Sequence, residues 1–339
     1  MPRRTPALPR RTTGFPKVPP PDNRPPTLGL ILAFAAVYLV WGSTYLAIRF
    51  AIQTIPPFLM AGVRFTCAGS VLYGWCRLRA VPRPTARHWM SALIVGGFML
   101  AAGNGLVVWA EQRVPSGIAA LIVATTPFWM VLLDWWWRNA PRPNVAVVAG
   151  LLIGFAGVAL LVNPWEAHAT AVDAAGTLAL LGAALCWAIG SIYALEASKP
   201  ASPLLFTATA MLCGGAILLL VGTASGEWAR LDLPSVTRRS LLAVAYLIVF
   251  GSLITYSAYV WLLRVSTPAR VATTGYVNPV VAVLLGWLLG GEGLSSRTLL
   301  ATAVIITAVG LITSARSRQR DRPVIDPTLL ERPAGRISP

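Results

Sequence analysis

Long apolar runs alternate with short polar connections along most of this chain. Each run holds about 20 mostly apolar residues, which is the length needed to span the hydrocarbon core of a bilayer as an α-helix. The pattern therefore predicts ten transmembrane helices, at 28–48, 57–76, 90–110, 117–137, 144–162, 176–196, 204–223, 240–263, 271–291 and 297–314.

The composition supports a membrane protein. Of the 339 residues, 56% are hydrophobic and only 12% are charged, whereas a soluble domain carries about 25% charged residues. The connections between the apolar runs are short. The sequence therefore predicts an all-α integral membrane protein without a large soluble domain.

The positive charge is unevenly distributed. The formal net charge is +16, with six Lys and Arg in the first 27 residues and six in the last 25. With an even number of spans both termini lie on one side, and placing them in the cytoplasm gives 21 Lys and Arg in inner segments against six in outer segments. This bias predicts cytoplasmic termini rather than nucleic-acid binding.

Both ends of the chain are basic. The segment 1–27 contains nine prolines and no apolar stretch, so we expect a disordered cytoplasmic tail and no cleaved signal peptide. Residues 315–339 predict a second basic tail. For the tail at 1–27, contact with anionic membrane lipid and a plain solvated tail are the two alternatives.

The chain contains an internal repeat. GSTY at 42–45 matches GSIY at 190–193, WAEQRV from Trp109 matches WLLRV from Trp261, and Pro127 aligns with Pro279. These matches predict two five-helix halves, 28–162 and 176–314, joined by a linker at 163–175. Because five is odd, two copies in direct succession enter the membrane from opposite sides. Such inverted repeats are typical of secondary transporters that expose one site alternately to each side.

Three stretches resemble a known family. They are VWGSTYLAIRFAIQTIPPFLMAGVRF, GNGLVVWAEQRVPSGIAALIVATTPF and GYVNPVVAVLLGWLLGGEGLS. The chain is similar to the EamA-type transporters of the drug/metabolite transporter superfamily, and within them to the YedA-like inner-membrane proteins. The resemblance implies ten helices in two EamA repeats around a central cavity. It also implies secondary transport, often export, of amino acids, metabolites or drugs.

Arg64 is a permanent charge inside the second predicted span, about 10 Å from its outer end at 1.5 Å per residue. Three roles fit this position: snorkelling to the surface, a structural ion pair, or binding of an anionic solute group in a watery cavity. Glu111, at the outer end of the third span, is the expected partner. It is either a solvated helix end or a coupling group, with a proton or another ion as the coupling partner.

Polar and kinked positions add further candidates. Proline inside a helix frees a backbone carbonyl, so Pro127 and Pro279 are expected to be hinges, ligand-binding kinks or inert bends. Thr126 and Asn278 lie beside these prolines, and Asn104 is a third uncharged polar group within a span. Each is suited to binding solute or to bridging helices.

Aromatic residues are abundant in four of the spans. They are suited either to helix packing or to lining a cavity for apolar or amine-bearing solutes, the latter through cation–π contacts. The candidates are Trp41, Tyr45, Trp109, Trp187, Tyr193, Tyr256, Tyr259 and Trp261.

Several chemistries lack their sequence signatures. The chain has no GxxxxGK[ST] loop for ATP, no HExxH zinc motif and no GxSxG nucleophile motif. We therefore expect a transporter without cofactor or metal, as a monomer or homodimer, rather than an enzyme. An intramembrane enzyme and a channel-like facilitator are the alternatives.

Overall fold

The computed structural model describes residues 27–137, 145–162, 173–266 and 274–320. Within these ranges the chain forms ten long helices and no strand. The helices are α1 (Thr27–Ala51), α2 (Pro57–Leu78), α3 (Ala86–Ala110), α4 (Ser116–Trp137), α5 (Val145–Val162), α6 (Ala174–Glu196), α7 (Pro203–Ala224), α8 (Arg238–Tyr246 continued by Leu247–Ile254 and Thr255–Val265), α9 (Thr274–Gly290) and α10 (Ser296–Arg320).

The ten predicted spans are confirmed as helices. Six of them, α1, α3, α4, α6, α7 and α8, are long and apolar enough to cross a membrane, and α5, α9 and α10 contain shorter apolar helices. Helix α2 is 22 residues long and contains Arg64. The structure corrects one boundary, because the last helix continues past 314 to Arg320. Positive charges interact favourably with the dipole at a helix C-terminus, so the basic sequence after 314 is compatible with a longer helix. Residues 1–26, most of the predicted linker and the segment 321–339 lie outside the described residues.

The helices pack with two-fold pseudosymmetry. Helix n of the first half corresponds to helix n + 5 of the second half, and the main contacts between helices follow this correspondence. Helix α2 packs along α7, α5 along α10, and α4 along α9. The contacts of α1 with α8 and α9 correspond to those of α6 with α3 and α4, and the α3–α7 contact corresponds to α8–α2.

The two halves run in opposite directions. Gly176, at the start of α6, lies against Val114, which follows the end of α3. Helix α1 ends at the same end of the bundle. Its Arg49 pairs there with Glu292, which also contacts Ser116 at the start of α4. Helix α6 therefore begins where α1 ends, as an inverted repeat requires. We refer to this end as the carboxylate end because it carries Glu111, Glu227 and Glu292.

In the described ranges, three helices contain π-helical segments. Those of α3 (Gly96–Asn104) and α8 (Leu247–Ile254) occupy equivalent positions in the two halves, and α1 has a third at Ala36–Val40. A π segment shifts the hydrogen-bond register of the helix and is frequent at functional sites. Hydrophobic periodicity does not reveal it.

Pro127 divides α4 into Ser116–Val123 and Thr126–Trp137. Proline has no N–H to donate to the carbonyl four residues earlier, which is that of Val123. The Oγ1 of Thr126 donates to that carbonyl at 2.7 Å, and the Oγ1 of Thr125 donates to the carbonyl of Ile122 at 2.7 Å. In this conformation the bend is satisfied by its own threonines. Pro279 lies inside a continuous α9.

Small residues allow the closest helix contacts. A Cβ at Gly96 of α3 would overlap the backbone carbonyl oxygen of Ala210 in α7, and one at Gly215 would lie 2.8 Å from the backbone nitrogen of Thr66 in α2. Backbone atoms cannot rotate away as side chains can. The contacts of α7 with α2 and α3 therefore depend on these glycines.

We predict that Gly96→Ala destabilises the protein whereas Gly97→Ala does not. The first substitution forces α3 and α7 apart and costs about 1–3 kcal/mol by overpacking. A Cβ at Gly97 meets only the Ile217 side chain at 3.6 Å. Thermal unfolding of both variants in detergent tests the difference. Equal melting temperatures would contradict the close contact.

Candidate functional site

Arg64 lies buried between α2 and α8. It is 4% exposed, its Nε donates to the Oγ of Ser252 at 3.0 Å, and its guanidinium lies 4.8 Å from the centre of the Phe65 ring. A Cβ at Gly251 would lie 3.3 Å from the Arg64 Nη2. Gly251 and Ser252 both belong to the π segment of α8. This segment therefore supplies both the space and the hydrogen-bond acceptor for the guanidinium.

Aromatic side chains adjoin this position. The Nε1 of Trp41 donates to the carbonyl of Gly251 at 3.2 Å, and its ring packs on those of Tyr256 and Tyr259 with centres 5.2 and 5.0 Å away. Tyr256 lies within electrostatic range of Arg64. We call Trp41, Arg64, Ser252, Tyr256 and Tyr259 the Arg64 cluster. It joins α1, α2 and α8.

Glu111 follows the last residue of α3 and is 5% exposed. Neither of its carboxylate oxygens has a hydrogen-bond partner among the residues that the structure describes. The direct Arg64–Glu111 pair expected from the sequence does not form, because Arg64 turns towards Ser252 instead. The two groups still interact over a longer distance, and Tyr45 also lies within electrostatic range of Glu111. Burial, and then the nearby negative charge of Glu292, raise the pKa of Glu111 well above its usual value.

Glu292 joins three helices at the carboxylate end. Its carboxylate forms an ion pair with Arg49 in the last turn of α1. It accepts hydrogen bonds from the Oγ of Ser116 at 2.6 Å, and from the backbone N–H groups of Ser116 and Gly117 at 2.7 and 3.0 Å. Burial opposes ionisation of Glu292, but these hydrogen bonds outweigh it and hold its pKa below the usual value. A carboxylate at a helix N-terminus also interacts favourably with the helix dipole.

Glu227, also in the second half, makes a related contact with the first half. Its carboxylate accepts hydrogen bonds from the backbone N–H groups of Phe58 and Leu59, in the first turn of α2, at 3.3 and 2.9 Å. Each buried glutamate thus satisfies free N–H groups that begin a helix of the opposite repeat. Glu227 and Glu292 stabilise the carboxylate end.

Two cavities lie at opposite ends of α3. One, of about 510 Å³, adjoins Glu111 and is lined by Arg49, Ile52, Gln53, Glu111, Gln112, Arg113, Val114 and Pro115. The other, of about 430 Å³, is lined by Arg87, Met90, Ser91, Trp137, Ile192, Tyr193, Glu196, Ala197 and Ser198. Tyr193 therefore lines this second cavity and does not belong to the Arg64 cluster. In the described residues no group of three or more His, Cys, Asp or Glu could hold a metal ion.

Trp187 and Trp41 each contact a glycine of a π segment in the opposite half. Trp187 of α6 lies against Gly103 in the π segment of α3, with its Cε3 3.4 Å from the position of a Cβ on that glycine. Trp41 of α1 makes the corresponding contact with Gly251 of α8. Asn104, next to Gly103, has a buried Oδ1 without a hydrogen-bond partner.

The remaining candidates serve helix ends and helix contacts. The Trp109 ring lies 4.6 Å beneath the guanidinium of Arg113, at the cavity beside Glu111. When its amide is oriented to satisfy the hydrogen bonds, Asn278 donates to the carbonyls of Val37 and Tyr38 at 3.3 and 3.2 Å. These two carbonyls lie in the π segment of α1. Asn278 thus connects α9 to α1.

Sequence reasoning missed three contributors. Ser252 is one of many serines in apolar runs, and only the fold places it against Arg64. Arg49 is one of the six Lys and Arg of the outer segments, and no motif in the sequence marks Glu227, which lies in the connection between α7 and α8. The GSTY and GSIY repeat provided a partial signal, because Gly103 and Gly251, the glycines in contact with the two tryptophans, are separated by the same 148 positions.

The chain was compared with known proteins. A model of the EamA-like transporter family matches residues 27–163 and 174–314. The chain is 39% identical over 310 residues to the uncharacterized inner membrane transporter YedA of Escherichia coli K12, covering 89% of this chain and 96% of that protein. It is 28% identical over 275 residues to protein PecM of Dickeya dadantii, covering 80% and 88%. A solved crystal structure, 21% identical, matches the fold with a TM-score of 0.58 over 85% of this chain and 97% of the other.

We predict that Glu292→Gln lowers stability in a pH-dependent way. Because the folded pKa of Glu292 lies below its usual 4.5, its contribution is complete above that value and is lost as the pH falls through the folded pKa. At neutral pH the substitution should cost about 1–3 kcal/mol. The melting temperatures of Glu292→Gln and of the wild type, measured in detergent, should therefore converge as the pH falls from about 7 to about 3. Asp232→Asn, at an exposed loop residue, is the control, and a constant difference across this range would contradict the prediction.

Proposed function

This chain belongs to the EamA-like transporter family of the drug/metabolite transporter superfamily, and we propose that it is a secondary active transporter. It moves a small organic solute, such as an amino acid, a metabolite or a drug, across the cytoplasmic membrane in the direction of export. The transporter names of its relatives and the inverted five-helix repeats support this proposal.

The unpaired guanidinium of Arg64 carries the proposal. Among the described residues it has one hydrogen bond, from Nε to Ser252, whereas a guanidinium carries five N–H donors. An arginine at this depth costs about 3 kcal/mol or more unless it is paired or wetted. Arg64 is therefore suited to bind an anionic group of a solute, most favourably a carboxylate through two parallel hydrogen bonds.

The neighbouring aromatic rings narrow the class of solute. Trp41, Tyr256 and Tyr259 form an apolar surface beside the guanidinium. Such rings accept apolar groups and, through cation–π contacts, amines. We infer a solute that combines a carboxylate with an apolar or amine-bearing body.

Alternating access follows from the pseudosymmetry. In an inverted repeat the halves can exchange conformations, which closes one end while opening the other. The Arg64 cluster lies where α1 and α2 of one half meet α8 of the other, so this exchange would change its access to each side. The π segments of α3 and α8, with Pro127 and Pro279, are the proposed hinges.

The orientation is proposed from charge alone. The excess of Lys and Arg in alternate connections favours cytoplasmic N- and C-termini. The carboxylate end then faces the periplasm. Large exposed apolar residues such as Trp136, Leu152 and Leu289 are expected to contact lipid.

Counterflow in proteoliposomes tests the function. Radiolabelled amino acids and common drugs are screened with and without a pH gradient. A transporter exchanges labelled for unlabelled solute with saturation, a channel conducts without exchange, and an intramembrane enzyme alters its substrate chemically.

We predict that Arg64→Ala reduces counterflow of an identified solute at least about tenfold, as expected for loss of one side of a charge pair. Arg64→Lys keeps the charge but loses the bidentate geometry, so it should retain partial activity. Arg230→Ala, at an exposed arginine of the carboxylate end, is the matched control. Membrane insertion and melting temperature should be retained, and normal transport by Arg64→Ala would remove Arg64 from the site.

Ser252→Ala tests the hydrogen bond that orients the guanidinium. Loss of a hydrogen bond to a charged group costs about 1.5–3 kcal/mol. We expect the KM for solute to rise about tenfold because the guanidinium loses its fixed orientation. Ser257→Ala, in the same helix with its Oγ bonded to the carbonyl of Leu253, is the control. Equal KM values for the two variants would contradict the orienting role.

A further inference from the structure

Glu111 is an unusual buried acid. Both of its oxygens are buried and have no hydrogen-bond partner within the described part of the chain. An ionised carboxylate in such surroundings is expensive, and a buried acid that lacks a partner normally becomes neutral. The closed arrangement around Glu111 is therefore compatible with the protonated carboxyl.

The charged and titratable groups around Glu111 come from every neighbouring element. Tyr45 and Arg49 belong to α1, Arg64 to α2, and Glu292 to the turn between α9 and α10. Most of these groups already have partners. Arg49 is paired with Glu292, and Arg64 donates to Ser252. Asp173, at the start of α6, accepts a hydrogen bond from the N–H of Gly176. Arg113 lies over the Trp109 ring, and Tyr256 of α8 lies near Arg64.

Arg49 connects Glu111 to the closed end. It lines the same cavity as Glu111 while its guanidinium is bound to Glu292. Glu292 in turn holds the first turn of α4 through Ser116 and Gly117. The Arg49–Glu292 pair thus ties α1 to α4 across the carboxylate end. A negative charge on Glu111 would attract the same guanidinium.

We propose that Glu111 is a proton-binding site that controls the opening of the carboxylate end. With the proton bound, Glu111 does not compete for Arg49, and the Arg49–Glu292 pair holds the end closed. When the O–H bond of Glu111 breaks, the proton passes to water in the adjoining cavity and the carboxylate becomes an acceptor for Arg49. The contact between α1 and α4 then weakens, and the end opens.

This inference rests on the proposed function and deepens it, because it assigns the regulation of access at the carboxylate end to a proton bound at Glu111. Proton release opens the carboxylate end, and proton binding closes it. The test below needs no solute, so its failure is distinct from a failure of transport.

The experiment measures access to a buried residue at this end. Val114 is 2% exposed and lines the cavity, so Val114→Cys is introduced after Cys67, Cys76, Cys186 and Cys213 are replaced by alanine. Its rate of labelling by a maleimide in detergent is divided by that of Ser235→Cys, at an exposed residue of the same end. The ratio removes most of the effect of pH on thiol reactivity.

We expect the labelling ratio to rise about tenfold between about pH 6 and pH 9, as one proton leaves Glu111. In Glu111→Gln, which resembles the protonated acid, the ratio should stay low throughout. In Arg49→Gln, which lacks the pair with Glu292, it should be high at both pH values. Arg230→Gln is the matched control and should behave as the parent protein does.

Two results would overturn the proposal: an unchanged pH-dependent rise in Glu111→Gln, or slow labelling of Arg49→Gln at both pH values. If Glu111→Gln fails to fold, Glu111→Asp takes its place. Glu111→Asp keeps a titratable carboxyl, so its labelling ratio must still rise with pH. A labelling ratio that does not rise with pH in this variant would also overturn the proposal.

Discussion

The cost of placing charge in a water-poor interior constrains every functional feature of this protein. A buried ion must be paired, be wetted or lose its charge. Glu292 and Arg49 satisfy one another at the carboxylate end. Among the described residues, Arg64 has a hydrogen bond but no counter-ion in contact, and Glu111 has neither a hydrogen bond nor a counter-ion in contact. The last two groups are therefore those whose state a solute or a proton can change.

The same constraint explains where the two halves differ. Helices α2 and α7 have equal length and begin at Pro57 and Pro203. When these two prolines are aligned, Ala210 of α7 takes the position that Arg64 has in α2. By the offset of 148 between GSTY and GSIY, Asn104 in α3 is the counterpart of Ser252 in α8. Ser252 accepts a hydrogen bond from Arg64, whereas the Oδ1 of Asn104 has no partner. The helix framework is thus shared by the halves, and the charged centre belongs to the first half only.

Much of the fold could be predicted because membrane insertion imposes simple rules. Helices must satisfy their own backbone hydrogen bonds in lipid, so apolar runs of sufficient length become spans. The odd number of spans per repeat then determines that the halves are inverted. The π segments of α3 and α8 were not predictable in this way, since they arise from tertiary packing and leave no periodic signal.

The sequence by itself determined the ten helices, the inverted repeat, and the presence of Arg64 and Glu111 in or next to spans. Only the tertiary structure decided their partners. Arg64 turns to Ser252 and not to Glu111, and Glu292 pairs with Arg49, which is 243 residues away in the chain. The physical reason is that hydropathy depends on each residue and its neighbours in sequence, whereas pairing of buried charges depends on which helix faces meet. Those faces are selected by close contacts such as that of Gly96 with Ala210.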